Sequence, residues 1–140
     1  MAQLVTVPVW DALVALVIAA APPAPSGLLN ADRIYRDGEV PETAALGYIL
    51  IGSAIQPRGG FYNGQRGRTD QLYRLHCWST TPTNAERIAA WLTALLDGQL
   101  LTLAGHTMWT SRITSFGHQA DTDRTAYQVV LNWDVSTLEV

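Results

Sequence analysis

"RTAYQVVLNWDVS" (124–136) sets apolar and polar side chains in near-strict alternation. On an extended chain Tyr127, Val129, Leu131, Trp133 and Val135 face one way, and Gln128, Asn132 and Asp134 face the other. A strand of this kind belongs to a sheet with one buried and one wetter face, which is the habit of antiparallel sheets. The segment before it, "TMWTSRITSF" (107–116), is a second strand, and the polar "GHQADTD" joins the two as a hairpin.

Upstream, "TPTNAERIAAWLTALLDGQ" (81–99) carries the helical period, with Ile88, Trp91, Leu92, Leu95 and Leu96 on one face. Thr83 and Glu86 have the spacing of a capping box, and Gly98 suits a left-handed C-cap. Two further strands are expected at "LGYILIGSAI" (46–55) and "DQLYRLHCWST" (70–80), with a short extended piece at Arg33–Tyr35.

The apolar "LVTVPVWDALVALVIAA" (4–20) could be a core helix, a targeting segment or a membrane span. It lacks the basic flank of a signal peptide, since the first arginine is Arg33, and Pro8 and Asp11 interrupt it. Trp10, Leu13, Val14, Val17 and Ile18 form a helical stripe, with Thr6 as its N-cap and "APPAPSG" (21–27) as its end. A buried amphipathic helix is the expectation. The whole chain of 140 residues, 48% apolar, then reads as one α+β domain. Its sheet is mainly antiparallel, of about four strands, with two amphipathic helices on one face.

Composition closes several routes to chemistry. All 9 basic residues are arginines, against 12 acidic ones, for a net charge of -3. Without lysine there is no P-loop cation and no Schiff base. Cys77 stands alone, so neither an internal disulfide nor a multi-cysteine zinc site can form. His76 and Cys77 are strand neighbours that point to opposite faces and cannot act as a dyad. His106 and His118 flank one strand, about 40 Å apart if fully extended. Asp121 and Asp123 in "HQADTDRT" lack the further oxygen ligands and the glycine of a calcium loop. The expectation is no enzyme, no cofactor and no metal.

One stretch remains, "PRGGFYNGQRGRTD" (57–70), expected as a long hairpin loop over 56–69. Its "GQRG" matches a nucleic-acid clamp loop only out of context, since that loop joins helices and here strands flank it. A single "RGG" is one copy of a motif that works by repetition. Four glycines favour conformational freedom, whereas Phe61 and Tyr62 are anchors a solvated loop does not need. A loop that is poorly ordered alone and ordered against a partner explains both. Arg58, Phe61, Tyr62, Arg66 and Arg68 are its contact residues.

A resemblance supports assembly over catalysis. "VWDALVAL" (9–16), "ADRIYRDGEVPETAALGYILIG" (31–52), "YRLHCWS" (73–79) and "AERIAAWLTALLDGQLLTLAGH" (85–106) follow in order. Over residues 8 to 135 this resembles the tail-terminator, or tail-completion, proteins of long-tailed bacteriophages and phage-like particles. Gly47 stands where that family often has proline. The resemblance implies an α+β virion protein that forms a ring, usually a hexamer, at the head-proximal end of the tail tube. Its implied partners are itself, the tube protein and the head connector, with DNA passing through unbound and assembly in the host cytoplasm. A connector adaptor, the tube protein itself, or a small nucleic-acid-binding module are the alternatives.

Overall fold

A computed structural model describes residues 6–20, 34–36, 39, 47–52, 55–62, 65–120 and 126–139. The elements are α1 (Thr6–Ala19), β1 (Ile34–Arg36), β2 (Tyr48–Ile51), β3 (Ile55–Tyr62), β4 (Gln65–Ser79), α2 (Pro82–Leu96), β5 (Thr102–Leu103), β6 (His106–Ala120) and β7 (Tyr127–Glu139). The α+β class holds, but among the described residues the sheet has seven strands rather than about four. Their order is β1-β2-β4-β7-β6-β5, with β3 also paired to β4.

The spine of the sheet is β4, β7 and β6, long antiparallel neighbours. Along β7 the expected alternation is what the fold uses. Val129, Leu131, Trp133 and Val135 are buried under the helices, while Asp134 on the opposite face is exposed. Strand β4 alternates in phase, burying Tyr73, Leu75 and Cys77.

Pairing at the β2 edge differs from expectation. β1 lies parallel to β2, not antiparallel. The connection over 37–47 is long enough to carry the chain back to the same end, which a tight hairpin cannot do. The expected strand over 46–55 is β2, and its last residue, Ile55, already opens β3; β2 faces Leu75–Trp78 of β4, and β3 faces Gln65–Leu72. Between them the Gly52 N–H still donates to the Arg74 carbonyl at 2.8 Å. Gly47 opens β2 with φ 101°, a backbone that proline's ring forbids, so glycine here reflects the turn this chain makes.

Helix α2 starts two residues earlier than the capping-box spacing suggests. Thr81, not Thr83, is the N-cap, its hydroxyl accepting from the Asn84 N–H at 3.1 Å. Pro82 decides the matter, because its fixed φ and missing N–H suit the first helical position. The helix buries Ala85, Ile88, Ala89, Leu92 and Leu96, and Trp91 sits half-buried at the margin. Gly98 takes the left-handed conformation expected of it, with φ 75°.

Helix α1 buries Val9, Leu13 and Val17, and its Trp10 and Val14 flank that row. Ile18, expected on the buried stripe, is 57% exposed, because the apolar row is centred one position earlier. Thr6 is the first helical residue rather than a residue before the helix. The "APPAPSG" segment lies outside the described residues. Among those residues, no helix is long and apolar enough to cross a membrane.

Candidate assembly surfaces

Buried polar groups converge where the end of α2 meets β6 and β7. The indole N–H of Trp133 donates to Ser111 Oγ at 2.8 Å, and that hydroxyl donates to the Leu96 carbonyl at 2.7 Å. The Gly98 N–H donates to the Ser111 carbonyl, and the Ile113 N–H donates to Asp97 Oδ1 at 2.9 Å. Each bond satisfies a group left open at the end of α2 or the edge of β6. The cluster is a structural staple, holding the helix C-terminus to the sheet.

Cys77 is fully buried, and that burial pushes its thiol up to about 12. It stays a neutral core thiol at ordinary pH. Burial likewise raises the Tyr73 phenol, partly opposed by the Arg36 guanidinium, and its hydroxyl donates to Gln71 Oε1. His106 is buried with Nδ1 against the Ala104 carbonyl at 3.2 Å. Among the described residues no cluster of three or more His, Cys, Asp or Glu could hold a metal ion.

On the face away from the helices, His76 Nδ1 donates to Gln128 Oε1 at 2.7 Å, and the Gln128 amide donates to Gln119 Oε1 at 2.9 Å. The acceptor character of Gln128 Oε1 fixes the His76 proton on Nδ1. These three side chains tie β4, β7 and β6 together across their wetter face. At the far end of β4, Ser136 donates to Asp70 Oδ1 at 2.7 Å.

Beyond Asp70 lies the segment expected as a loop, and it is not one. Residues 55–62 and 65–69 continue as antiparallel strands. Arg58 stands opposite Asp70, Gly59 opposite Thr69, Gly60 opposite Arg68, and Tyr62 opposite Gln65. Glycines do not prevent pairing on a ribbon whose partner strand is already fixed by β7. Arg68 is itself paired to Leu138 on the other side, so the three-strand portion ends there. Phe61, Tyr62 and Arg66 lie past that point, on a two-stranded tip. The residues expected to make contacts thus lie on a β-ribbon, with Arg58 and Arg68 at its base. The missed signal is "NG" (63–64), the commonest two-residue hairpin dipeptide, at the centre of the stretch. Those two residues lie outside the described ones.

The remaining feature is the sheet's outer boundary. Strand β5 covers only His106 and Thr107 of β6. Trp109 sits at an irregularity of β6 and is 43% exposed, and Leu100 before β5 is 58% exposed.

The model of one family, described as tail completion protein gp17, matches residues 11–137. The chain belongs to that family. It is therefore a structural protein of phage tail assembly. Its fold is similar to that of a chain in a solved structure titled "Virion of native gene transfer agent (GTA) particle". That similarity has a TM-score of 0.80 at 13% identity, covering 98% of this chain and 99% of that one. No curated protein sequence matches it.

Proposed function

We propose that this tail completion protein forms a closed ring, six-fold as in the resemblance, on the head-proximal end of the tail tube. There it stops tube polymerisation and presents a surface to the head connector. The observation that carries the reading is the family match over nearly the whole chain, on a fold similar to that of a virion component. The β3–β4 ribbon is the docking arm. Phe61 and Tyr62 fill apolar hollows on a neighbouring subunit or the tube, while Arg58, Arg66 and Arg68 meet carboxylates there. DNA passes through the ring without specific binding. The protein works in the virion, after assembly in the host cytoplasm.

Electron microscopy of the protein mixed with its cognate tail tubes tests this. Density at one end of each tube, and tubes that no longer elongate, are expected. Binding along the sides would overturn terminal capping, and endless co-polymerisation would favour a tube protein. A connector adaptor would instead bind isolated head connectors and leave bare tubes uncapped.

A further inference from the structure

Strands β3, β4, β7 and β6 are consecutive neighbours, each antiparallel to the next. Because their number is even, the outer strands β3 and β6 run in opposite directions. Two copies related by rotation about an axis along the strands keep their strand directions. The β6 edge of one copy therefore meets the β3 edge of the next as an antiparallel pair. An odd number of strands would have forced a parallel contact.

The chain itself marks where such pairing starts and stops. Along β6 the first part of the edge is closed by β5, then by Gly98 and Asp97, which engage the Ser111 carbonyl and the Ile113 N–H. From Thr114 to Ala120 no strand among the described residues pairs with that edge. On the other side, the outer edge of β3 is likewise without a strand partner among them. Its pairing with β4 shifts register between Ile55 and Arg58, where Pro57 offers no N–H. That leaves Arg58–Tyr62 as the usable run, comparable in length to the open part of β6. Gly59 and Gly60 within it let another backbone approach closely.

Open strand edges are templates for pairing, and proteins that leave them open without cover risk indefinite aggregation. A closed head-to-tail ring uses both edges of every copy and leaves none. We infer that a second copy of this chain docks its β3, over Arg58–Tyr62, onto the Thr114–Ala120 edge of β6, making one sheet continuous around the ring. This rests on the ring reading above and specifies its seam.

Paired cysteines on tube-bound protein test the seam. Thr114→Cys or Gln119→Cys is combined in turn with cysteine at each position from Arg58 to Tyr62. Cys77 is fully buried and does not compete. Oxidation should convert most of the monomer into dimer, trimer and higher bands in matched double variants, and in neither single variant. Antiparallel pairing further requires that the β3 partner of position 119 precede the partner of position 114 in sequence. The reverse order, or no cross-link on tubes that electron microscopy shows capped, would overturn the seam and leave the ring standing. Tubes without terminal density would remove the ring reading and the seam with it.

Discussion

Strand β4 passes through two environments, and the contrast separates stability from assembly. Around Leu75 and Cys77, both fully buried, it lies between β2 and β7 with the helices over one face. Its pairing with β2 ends at Leu75, β3 takes over from Leu72, β7 ends at Arg68, and only β3 accompanies it on to Gln65. A two-stranded ribbon is marginal in isolation, so its ordering depends on the sheet at its base and, on the proposed docking role, on its partner. One strand thus serves as core at one end and as an arm at the other. Changes should be costly for folding at the first end and nearly silent at the second.

The largest expected loss is at Trp133, fully buried and stacked near Tyr73 with ring centroids 5.5 Å apart. Trp133→Ala removes the largest buried side chain and its hydrogen bond to Ser111, and should cost ~3–5 kcal/mol in denaturant unfolding. A near-unchanged transition would break the contrast at its strongest point.

Ser111→Ala comes next. It leaves the Trp133 indole N–H buried without a partner, while the Leu96 carbonyl keeps the Gln99 N–H at 3.0 Å, and should cost about 1–3 kcal/mol. Because the two residues share one network, the double variant should lose less than the sum of the singles. Strict additivity would show that the staple is not a unit.

Cys77 reports the same end through pH. Its thiol titrates higher folded than unfolded, so the unfolded chain gives up its proton first as pH rises. The contribution is complete below the unfolded pKa of about 8.5 and is lost as pH climbs towards about 12. Urea midpoints should fall between those limits more steeply in the native protein than in Cys77→Ala. At neutral pH a thiol reagent should label Cys77 only after unfolding.

A smaller change of opposite sign is expected at Thr137. It is 1% exposed, and its hydroxyl is buried without a hydrogen-bond partner. Thr137→Val keeps the shape and removes the stranded polar atom, which should raise stability by about 1 kcal/mol. A loss instead would point to a water or partner that meets that hydroxyl in solution.

How much of this was legible in the sequence follows the same division. The period-two pattern of 127–135 places Val129, Leu131, Trp133 and Val135 on the buried face, with Tyr127 half-buried, and the helical stripe of α2 is right at Ile88, Leu92 and Leu96, with Trp91 and Leu95 at its margin. Those patterns are legible because burial on one face selects residue type at each step. Strand partnership is not written that way. The parallel β1–β2 pair and the split of 46–62 into β2 and β3 depend on where a connection returns, which local composition does not encode. In the ribbon, glycine and arginine satisfy no core pattern, so the stretch looks like a loop. Only Asn63–Gly64 signals a hairpin, and the backbone ladder to a strand already in place does the rest. On the proposed docking role, the arm's partner is not legible in the sequence, because contact residues answer to a surface that belongs to another molecule.

The smallest expected effect on folding, and the most informative for function, is removal of the arm. Replacing Phe61–Gly67 with a two-residue Asn-Gly turn cuts the ribbon just beyond the Gly60–Arg68 pair. Arg68 keeps its pairing with Leu138, and Asp70 keeps its hydrogen bond from Ser136, so the sheet's last three-strand rung survives. No core residue is removed, and the shorter loop slightly lowers the closure entropy. Unfolding free energy should stay within about 0.5 kcal/mol of the native protein, as for a surface change away from packed features. On tail tubes, the same variant should leave ends uncapped and tails unable to join heads. Normal tails from this variant would show that Phe61, Tyr62 and Arg66 dock nothing, and that the arm is only a connection between two strands. A large loss of stability would break the contrast from the other side, because the arm would then be part of the core.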